Sequence, residues 1–330
     1  MKILVCGGAG YIGSHMVRAL QATKHDCVVL DNLSTGHRWA IPNDVELLEV
    51  DLLNESALLD VLRGRNFDAV IHFAARSLVG ESVVDPAIYY ANNVAGTLNL
   101  LHAMRQCNIN QIVFSSTAAI FGYPQTATIN ERHPVAPINP YGNSKLMIEW
   151  ILRDYAEAYG ISAVCLRYFN AAGASATELI GEAHEPETHL IPNILKSVLA
   201  GEENSQKLSI FGVDYSTRDG TCIRDYVHVD DLADAHIAAL NYLCKFPGFH
   251  AFNLGNGLGF SVFEVIKSCE VVTGRKVNFE IKPRRAGDPP VLVADSSLAS
   301  DKLAWHPSYT SLNAIVETAW GWHSAGFPYK

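Results

Sequence analysis

The feature that most constrains the fold is a glycine-rich turn near the N-terminus. The stretch GGAGYIG at 7–13 follows an apolar run at 2–6 and opens a helical pattern near 12–22. Glycines permit a tight turn and let backbone N–H groups approach a pyrophosphate at a helix N-terminus. Because strand, loop and helix stand in the required order, the sequence predicts a dinucleotide site here. The glycines that satisfy G-x-G-x-x-G or G-x-x-G-x-x-G are Gly7, Gly8, Gly10 and Gly13.

Apolar runs alternate with helical patterns through the first half of the chain. The predicted strands are nearly continuous apolar runs, as strands buried on both faces of a parallel sheet are. They lie at 2–6, 27–31, 45–50, 69–73, 111–116 and 162–168. Helices are predicted near 12–22, 55–64, 86–106 and 141–159. The alternation predicts an α/β fold with a doubly wound, parallel Rossmann-type sheet.

The alternation of apolar runs and helical patterns breaks after about residue 170, where Gly, Pro and Asn become frequent. We expect residues 1–170 to form the dinucleotide domain and 171–330 a smaller, mixed α/β substrate-binding domain. Residues 162–168 and parts of 226–254 are expected to add to the main sheet. The helices predicted in the second half lie near 191–200, 231–243, 261–273 and 311–324, with short strands at 208–211 and 277–281.

Composition restricts the partners. The chain has 330 residues, of which 48% are hydrophobic, but it has no apolar run long enough for a membrane span. Its first apolar run is too short for a signal peptide. The net charge of −9 argues against nucleic acid as a main partner, so any phosphate must be bound by local donors.

The cysteines indicate a reducing compartment. There are seven, an odd number, scattered along the chain and never in C-x-x-C spacing. Such cysteines are typical of buried, reduced thiols, so we expect a cytoplasmic protein.

Two aspartates at predicted strand ends indicate which dinucleotide binds. Asp31 ends the second strand about twenty residues beyond the glycines, where a carboxylate accepts from ribose hydroxyls and repels a 2′-phosphate. Asn32 follows it, and no arginine occurs between Asn32 and Arg38. The sequence therefore predicts NAD. Asp51 ends the third strand and could contact the adenine, or it could cap the next helix.

A tyrosine and a lysine stand four residues apart where a helix should begin. Asn139 can cap this helix and Pro140 suits its first position, so Tyr141 and Lys145 share one face. A nearby ammonium and the helix N-terminus should lower the pKa of the phenol and make it a general base. Thr117, at the end of the fifth predicted strand, can hydrogen-bond the substrate oxygen from which Tyr141 takes a proton.

The stretch HVDDLADAH at 228–236 offers two histidines and three aspartates. A helix capped by Asp230, with a solvated polar face, explains this stretch better than a metal site. We therefore expect no metal.

The chain resembles the extended short-chain dehydrogenases/reductases, and among them the family of UDP-glucose 4-epimerases, over essentially its whole length. The last two of the matching stretches are far more specific than those around the glycines and the tyrosine. The stretches are GGAGYIGSH, LDNLSTG, VIHFAARSLVGESV, YYANNVAGTLNLL, FSSTAAIFG, PYGNSKLMIE, LRYFNAAGA, IFGVDYSTRDGTCIRDYVHVDDLADAH and RRAGDPPVLVAD.

The resemblance implies three groups of site residues. The catalytic set would be Thr117, Tyr141 and Lys145. Beyond the glycines and the catalytic pair, the cofactor would contact Tyr11, Ile12, Asp31, Asn32, Asp51, Leu52, Phe73, Ala74, Ala75, Asn92 and Phe169. The UDP-sugar would contact Thr117 and Tyr141 together with Asn170, Leu190, Phe211, Arg224, Tyr226, Arg285, Asp288 and Leu292.

The sequence departs from some family members at four positions. Ser77 stands where a lysine is frequent, so one contact to the cofactor phosphate is in question. Thr117 replaces a common serine and keeps the hydroxyl. His189 occupies a frequent asparagine position beside the nucleotide. Leu292 stands where a tyrosine or a small residue often sets the volume of the sugar pocket.

The activity implied by the resemblance is reversible C4 epimerisation of UDP-glucose and UDP-galactose in galactose metabolism. It would proceed by transient hydride transfer to tightly bound NAD and through a 4-keto sugar. The alternative is another NAD-dependent 4-epimerase, acting on UDP-N-acetylglucosamine or a UDP-pentose.

Two other functions fit the sequence less well. A dehydratase would need an Asp-Glu pair where Ala118 and Ala119 stand, and a non-catalytic dinucleotide sensor would usually lack the tyrosine. The resemblance also implies a homodimer formed through the helices near 86–106 and 141–159.

Overall fold

A computed structural model describes residues 1–201, 207–285 and 288–326. Its centre is a seven-stranded sheet in which all neighbouring strands are parallel. The first six strands in chain order are β1 (Lys2–Cys6), β2 (Asp26–Asp31), β3 (Glu46–Glu49), β4 (Ala69–His72), β5 (Gln111–Thr117) and β6 (Ser162–Tyr168). The seventh, Phe249–Leu254, comes from the second half of the chain and pairs with β6.

Helices cover both faces of this sheet. Those of the first half are α1 (Tyr11–Ala22), α2 (Glu55–Leu62), α3 (Val79–Val84), α4 (Pro86–Tyr89), α5 (Gly96–Gln106) and α6 (Pro140–Tyr159). Successive side chains of β1 enter opposite cores: Ile3 and Val5 pack with α1, and Leu4 packs with α2 and α5. This alternation explains why the strands are apolar throughout, since each face is buried under helices.

The strand order places β1 and β4 side by side at the centre, with β2 and β3 on one side and β5 and β6 on the other. The crossover direction therefore reverses between β1 and β4. Ligands of doubly wound sheets bind beyond the carboxyl ends of the strands at such a switch point. The predicted fold class, a doubly wound Rossmann-type sheet, is confirmed.

Helix α6 begins and ends as its sequence predicts. The Asn139 side chain accepts a hydrogen bond from the backbone N–H of Gly142 over 2.8 Å, and Pro140 is the first helical residue. The helix ends at Gly160, which has a left-handed φ of 72°. These caps fix the start of the helix, and so they place Tyr141 in its first turn.

The described part of the second half forms short strands and five helices, three of which (α7, α9 and α11) pack around a separate apolar cluster, while α8 and α10 pack in the core of the main sheet. The helices are α7 (Leu190–Ala200), α8 (Val229–Leu243), α9 (Val262–Thr273), α10 (Ser297–Leu303) and α11 (Leu312–Ser324). The strands are β7 (Asn170–Ala172), β8 (Leu208–Phe211), β9 (Ile223–Arg224), β10 (Tyr226–His228), β11 (Phe249–Leu254), β12 (Phe260–Ser261), β13 (Phe279–Lys282) and β14 (Val291–Leu292). In the part of the chain that the structure describes, no helix is both long and apolar enough to cross a membrane.

Three elements differ from the sequence-based expectation. The helix predicted over 86–106 contains a π-helical segment at Tyr90–Ala95, between α4 and α5. The strand predicted at 277–281 lies at Phe279–Lys282 instead. Helix α8 is capped by His228, whose Nδ1 lies 3.1 Å from the backbone nitrogen of Asp230, so the prediction that Asp230 caps it was wrong.

Candidate active site

Thr117, Tyr141 and Lys145 meet at the carboxyl end of β5. Thr117 is the last residue of that strand, and its hydroxyl lies close enough to the phenol of Tyr141 to lower the pKa of that phenol. The Lys145 Nζ donates to the carbonyl oxygen of Ser115 over 2.7 Å and lies 6.0 Å from the centroid of the Tyr141 ring. A hydroxyl, a phenol and an ammonium are therefore adjacent, in the arrangement that proton transfer to and from a sugar hydroxyl needs.

The protonation of this set differs from the sequence-based expectation. Lys145 was expected to lower the pKa of the phenol, but burial raises the pKa of Tyr141, while the Thr117 hydroxyl acts in the opposite sense. Burial also lowers the pKa of Lys145 to about 7. The predicted direction was wrong for this structure because burial of the phenol dominates its pKa, while the Lys145 ammonium is directed at the Ser115 carbonyl oxygen.

The glycine loop in front of α1 fits a pyrophosphate. A Cβ added at Gly13 would lie 2.1 Å from the Gly7 carbonyl oxygen, so Gly13 is required for packing of the loop. A Cβ at Gly10 would meet nothing closer than 3.4 Å, so there is open space beside this glycine. Gly10 is also the N-cap of α1, and the first N–H groups of a helix have no intrahelical partner. The first N–H groups of α1 are therefore available as donors to a phosphate beside the loop.

Asp31 lies beside this loop. Its Oδ2 accepts from the backbone N–H of Ala9 over 3.0 Å and its Oδ1 from that of Leu33 over 2.8 Å. Burial raises the pKa of Asp31, and these two N–H bonds oppose that effect. A carboxylate has about four lone-pair sites, so it retains capacity for the hydroxyls of a ribose.

Asp51 contacts the residue that follows Asp31. Its Oδ2 accepts from the Asn32 side-chain amide over 2.8 Å, and its Oδ1 accepts from the backbone N–H of Leu53. The cap of α2 is Asn54, so the alternative that Asp51 caps this helix was wrong. Asp51 and Asn32 together form a polar edge at the ends of β2 and β3.

The other predicted cofactor residues line the same edge of the sheet. Ala74 follows β4 and its backbone closely approaches Gly7, while the ring of Phe73 lies 4.7 Å from that of His236. The Tyr11 hydroxyl donates to the Gly173 carbonyl over 2.6 Å. Also at this edge are Ile12 in the first turn of α1, Leu52 against Gly96, Ala75 after β4, and Asn92, whose amide donates to Asn93.

Leu292 and Phe169 connect the catalytic set to the second half of the chain. Both pack partly buried against a cluster that contains Ala118, the residue after Thr117. Leu292 lies on β14, and there it is the register partner of Arg224 on β9. Apolar side chains therefore pack next to the residue that follows Thr117, and Arg224 lies on the strand beside Leu292.

The predicted substrate residues provide paired charges and an aromatic ring. Arg224 forms an ion pair with Asp288, and the Arg285 guanidinium lies 3.9 Å from the centroid of the Phe211 ring. The pKa of the Cys222 thiol is affected by three nearby charges, those of Arg224, Asp288 and Arg285, so these groups lie close together. Ala286 and Gly287, which belong to the RRAGDPPVLVAD stretch, lie outside the described residues.

Three further predicted residues border this region. The Asn170 side-chain amide donates to the backbone oxygen of Asp225 over 2.9 Å, and its strand pairs with Tyr226. Leu190 is the first residue of α7, and Tyr226 is buried in the apolar cluster against which Leu190 packs. Tyr226 is thus mainly a packing residue of this half.

His189 is held in a cluster that sequence reasoning missed. Its Nδ1 pairs with the carboxylate of Glu182, and the His184 Nδ1 lies 2.9 Å from the same carboxylate. Burial alone would lower the pKa of His189, but the Glu182 and Glu187 carboxylates raise it to about 9. These four groups are common metal ligands whose donor atoms lie within 4.8 Å of one another, and their mutual ion pairs account for the arrangement. The E-x-H-x-x-E-x-H spacing was the available signal.

The second half of the chain also closes over the glycine loop. A narrow cleft is lined by Gly10 and Tyr11 on one side and by Gly181, Ala183 and His184 on the other. Ser77, in contrast, is exposed after β4 and contributes no cation there. A phosphate in the cleft would thus meet backbone N–H groups of α1 on one side and the His184 imidazole on the other.

Three of the five charged or titratable residues of HVDDLADAH are buried, so the predicted solvated face was wrong for these three, whereas Asp234 is exposed and Asp230 is partly exposed. Asp231 is buried and accepts from the backbone N–H groups of Ser308 and Tyr309. His228 and His236 are also buried, and burial lowers the pKa of each, to about 3 for His228 and about 4 for His236. This stretch fastens α8 to the loop before α11.

Comparisons with known proteins agree along almost the whole chain. A family model described as the NAD dependent epimerase/dehydratase family matches residues 3–255. The UDP-glucose 4-epimerase of Halalkalibacterium halodurans is 51% identical over 323 residues, which cover 98% of this chain and 96% of that protein. The Brucella ovis UDP-glucose 4-epimerase, solved in complex with NAD, is 47% identical with a TM-score of 0.93 and covers 97% of each chain. The Bifidobacterium longum UDP-glucose 4-epimerase, solved with NAD+ and UDP, is 36% identical with a TM-score of 0.92 and covers 98% of each.

Proposed function

The chain belongs to the NAD-dependent epimerase/dehydratase family, and we propose that it interconverts UDP-glucose and UDP-galactose by inverting C4. It is an isomerase that uses NAD. The observation that carries the proposal is the meeting of Tyr141 and Lys145 with the end of β5, where Thr117 lies beside the phenol and the Ser115 carbonyl accepts from the ammonium. This strand end lies between the glycine loop and the Arg224–Asp288 pair. Cofactor donors, a proton-transfer group and charged anchors for a nucleotide thus share one edge of the sheet.

We propose that Tyr141 removes the proton from O4 of the sugar while Thr117 hydrogen-bonds the same oxygen. When bound, NAD supplies the hydride acceptor and donor for C4 and a positive charge beside the phenol. The 4-keto sugar would then turn about its diphosphate anchor so that C4 presents its opposite face for the return of the hydride, and Tyr141 would return the proton to O4. Lys145 favours the phenolate by its positive charge. Because the hydride must return to the same sugar, the cofactor has to stay bound through the cycle.

We further propose that Arg224 and Arg285 neutralise the diphosphate and that the Phe211 ring stacks against the uracil. The Arg285 guanidinium lies 3.9 Å from the centroid of the Phe211 ring, so the groups proposed to bind the diphosphate and the uracil are neighbours. In this proposal residues 1–170 hold NAD and residues 171–330 hold the UDP-sugar. The remaining substrate contacts would come from Asn170, Leu190, Tyr226, Asp288 and Leu292.

Asp31 accounts for the choice of NAD over NADP. Its ionised carboxylate beside the glycine loop would accept from two ribose hydroxyls and repel a 2′-phosphate. Protein from which the cofactor has been stripped should regain activity with NAD and not with NADP. Equal recovery with both would show that Asp31 does not face the ribose.

The quaternary state and the location are also part of the proposal. We propose a homodimer formed through the helices of 86–106 and 141–159, because Leu98, Met147 and Trp150 are exposed apolar side chains on them. All seven cysteines are free thiols, which fits the cytoplasm.

Product analysis tests the activity. Purified protein incubated with UDP-glucose, or separately with UDP-galactose, should reach the same mixture of the two from either side. UDP-N-acetylglucosamine and UDP-xylose, incubated in parallel, test the alternative substrates. Failure to interconvert the two hexoses, with NAD added, would contradict the proposal.

A further inference from the structure

Behind the catalytic set lies a buried ion pair that the mechanism above does not use. Glu149 stands one turn beyond Lys145 on α6, and Arg167 lies on β6; they are 1% and 5% exposed. Arg167 donates to both carboxylate oxygens, from Nε over 2.9 and 3.2 Å and from Nη2 over 2.5 Å. A bidentate pair with two donors and two acceptors fixes orientation as well as distance, so it holds α6 against β6 in one register.

Ser116 links this ion pair to the strand end that carries Thr117. Its hydroxyl donates to the Glu149 Oε1 over 2.5 Å, and Ser116 is 1% exposed. The neighbouring residue Ser115 receives the Lys145 ammonium on its carbonyl oxygen, and Thr117 contacts the phenol. Three consecutive residues of β5 therefore bind three side chains spaced four residues apart on α6, namely Tyr141, Lys145 and Glu149.

We propose that Glu149 is a positioning residue for the epimerisation, which through Ser116 and Arg167 sets where α6 presents Tyr141 and Lys145 to Thr117. This inference rests on the proposed function. A buried ion pair also contributes to stability, because removal of one partner leaves an uncompensated charge. An ion pair that served stability alone would not need to lie on the same face of α6 as Tyr141 and Lys145. Nor would Glu149 need to bind Ser116, which stands between the two β5 residues beside Lys145 and Tyr141.

Glu149 is also the anion that acts on Lys145. Burial lowers the pKa of Lys145 to about 7, and Cys165 and Glu149 oppose this. Since burial raises the pKa of the Cys165 thiol far above neutrality, the thiol is uncharged and Glu149 supplies the negative charge. The groups that face Lys145 from α6, β4 and β6 are Tyr141, Glu149, His72 and Cys165.

The first test is Glu149→Gln, which keeps the shape and removes the charge. The kcat for UDP-galactose should fall roughly 10²-fold, because small displacements of reacting groups have effects of that order, while KM and retained NAD stay near wild type. Without the carboxylate, Lys145 loses its proton at lower pH and the phenol becomes a base only at higher pH. The acid limb of the pH profile of kcat should therefore move to higher pH.

A milder variant removes one link only. Ser116→Ala deletes the hydroxyl between Glu149 and β5, and we expect kcat to fall roughly tenfold at unchanged KM and Tm. The matched control is Ser268→Ala: Ser268 is also buried, at 5% exposed, and donates to the Asn313 side chain over 2.6 Å in the second half of the chain. The control should keep wild-type kcat.

A double variant separates positioning from stability. Replacing both partners, as in Glu149→Met with Arg167→Met, leaves no unpaired buried charge, so Tm should recover toward wild type while kcat stays low. Recovery of kcat together with Tm would overturn the inference, as would wild-type kcat in Ser116→Ala. If the Glu149→Gln protein does not fold, these two variants decide the question. A wild-type protein without hexose interconversion would overturn the proposed function itself, whereas an active wild type with equally active variants overturns only this inference.

Discussion

Tyr141 offers the sharpest test at the scale of a single residue, because phenylalanine removes only the oxygen that Thr117 contacts. The ring would keep its edge contact with Tyr89, whose centroid lies 6.5 Å away. General acid–base catalysis typically contributes roughly 10²–10⁴-fold, so Tyr141→Phe should lower kcat by at least that order. Steady-state rates with UDP-galactose give the measurement, alongside bound NAD and UDP affinity, which should stay unchanged.

The same exchange further along α6 serves as the control for Tyr141. Tyr155 contacts the Tyr159 ring at 5.0 Å and takes no part in the proposed site, so Tyr155→Phe should keep wild-type turnover. Near-normal turnover in Tyr141→Phe would reject Tyr141 as the base.

Leu292 should set the choice of sugar, since it packs beside Ala118, the residue after Thr117. Leu292→Ser should enlarge the pocket and raise turnover of UDP-N-acetylglucosamine relative to UDP-glucose, whereas Leu292→Tyr should abolish it. Apolar pockets discriminate by about 10–200-fold per methylene, which sets the expected range of the ratio of kcat/KM. A ratio that stays flat across the wild type and both variants would exclude Leu292 as the gate. Leu199→Ser, at an exposed position near the end of α7, is the control.

Local sequence patterns alone predicted part of the candidate site. Tyr141, Lys145 and Asp31 follow from spacing and strand ends, because their chemistry depends on local geometry. Glu149 was missed although it continues the same four-residue spacing, since a glutamate in a helix is usually solvated. Its role depends on Arg167, which β6 brings to it from eighteen residues away in sequence.

At the scale of elements, two glycines of the same loop are expected to have different roles, Gly13 in packing and Gly10 in cofactor binding. Gly13→Ala would place a Cβ 2.1 Å from the Gly7 carbonyl oxygen, and such overpacking typically costs roughly 1–3 kcal/mol. Gly10 has an extended backbone at φ −77° and ψ 176°, which alanine adopts freely, and a Cβ there has room. Gly10→Ala should therefore keep the wild-type free energy of unfolding and lose NAD, whereas Gly13→Ala should unfold more easily.

Denaturant unfolding of the cofactor-free proteins and the amount of NAD retained after purification measure the two effects. Equal destabilisation by both substitutions would contradict the assignment, as would full NAD retention in a stable Gly10→Ala protein.

The long elements were predictable because each carries its own pattern. Strands buried on both faces are apolar runs, and α6 has a cap, a proline and a final glycine. The two- and three-residue strands of the second half carry no periodicity, so only tertiary contacts define them. The cap of α8 was misassigned because the sequence offers His228 and Asp230 together and does not show which one points inward.

At the scale of the whole molecule, the contacts of the substrate region could not be predicted from local patterns in a single sequence. Arg224 and Asp288 are 64 positions apart, and Phe211 and Arg285 are separated by 74. No local spacing connects such pairs, so they were assigned by family resemblance alone. Pairing of β14 with β9 brings Asp288 close to Arg224, and pairing of β13 with β8 brings Arg285 close to Phe211.

The homodimer gives a prediction at this same scale. Trp150 is 49% exposed and Met147 is 38% exposed on α6, with Leu98 exposed on α5. Large apolar side chains grouped on the outer faces of two neighbouring helices fit an interface between identical chains. Trp150→Glu would put a charge into that interface, and the protein should become monomeric, as measured by analytical ultracentrifugation. Val271→Glu is the matched control, because Val271 is 64% exposed on α9 and lies outside the proposed interface.

The effect of the Trp150→Glu exchange on stability follows from where the interface lies. Helix α6 carries Tyr141 and Lys145 on its buried side and Trp150 on its exposed side, so partner contacts would press this helix against β5. A monomeric Trp150→Glu protein should thus retain the fold, with a lower Tm than the Val271→Glu control, since the partner stabilises only the folded chain. A variant that sediments as the same species as wild type, or a wild type that is already monomeric, would exclude this surface as the dimer interface.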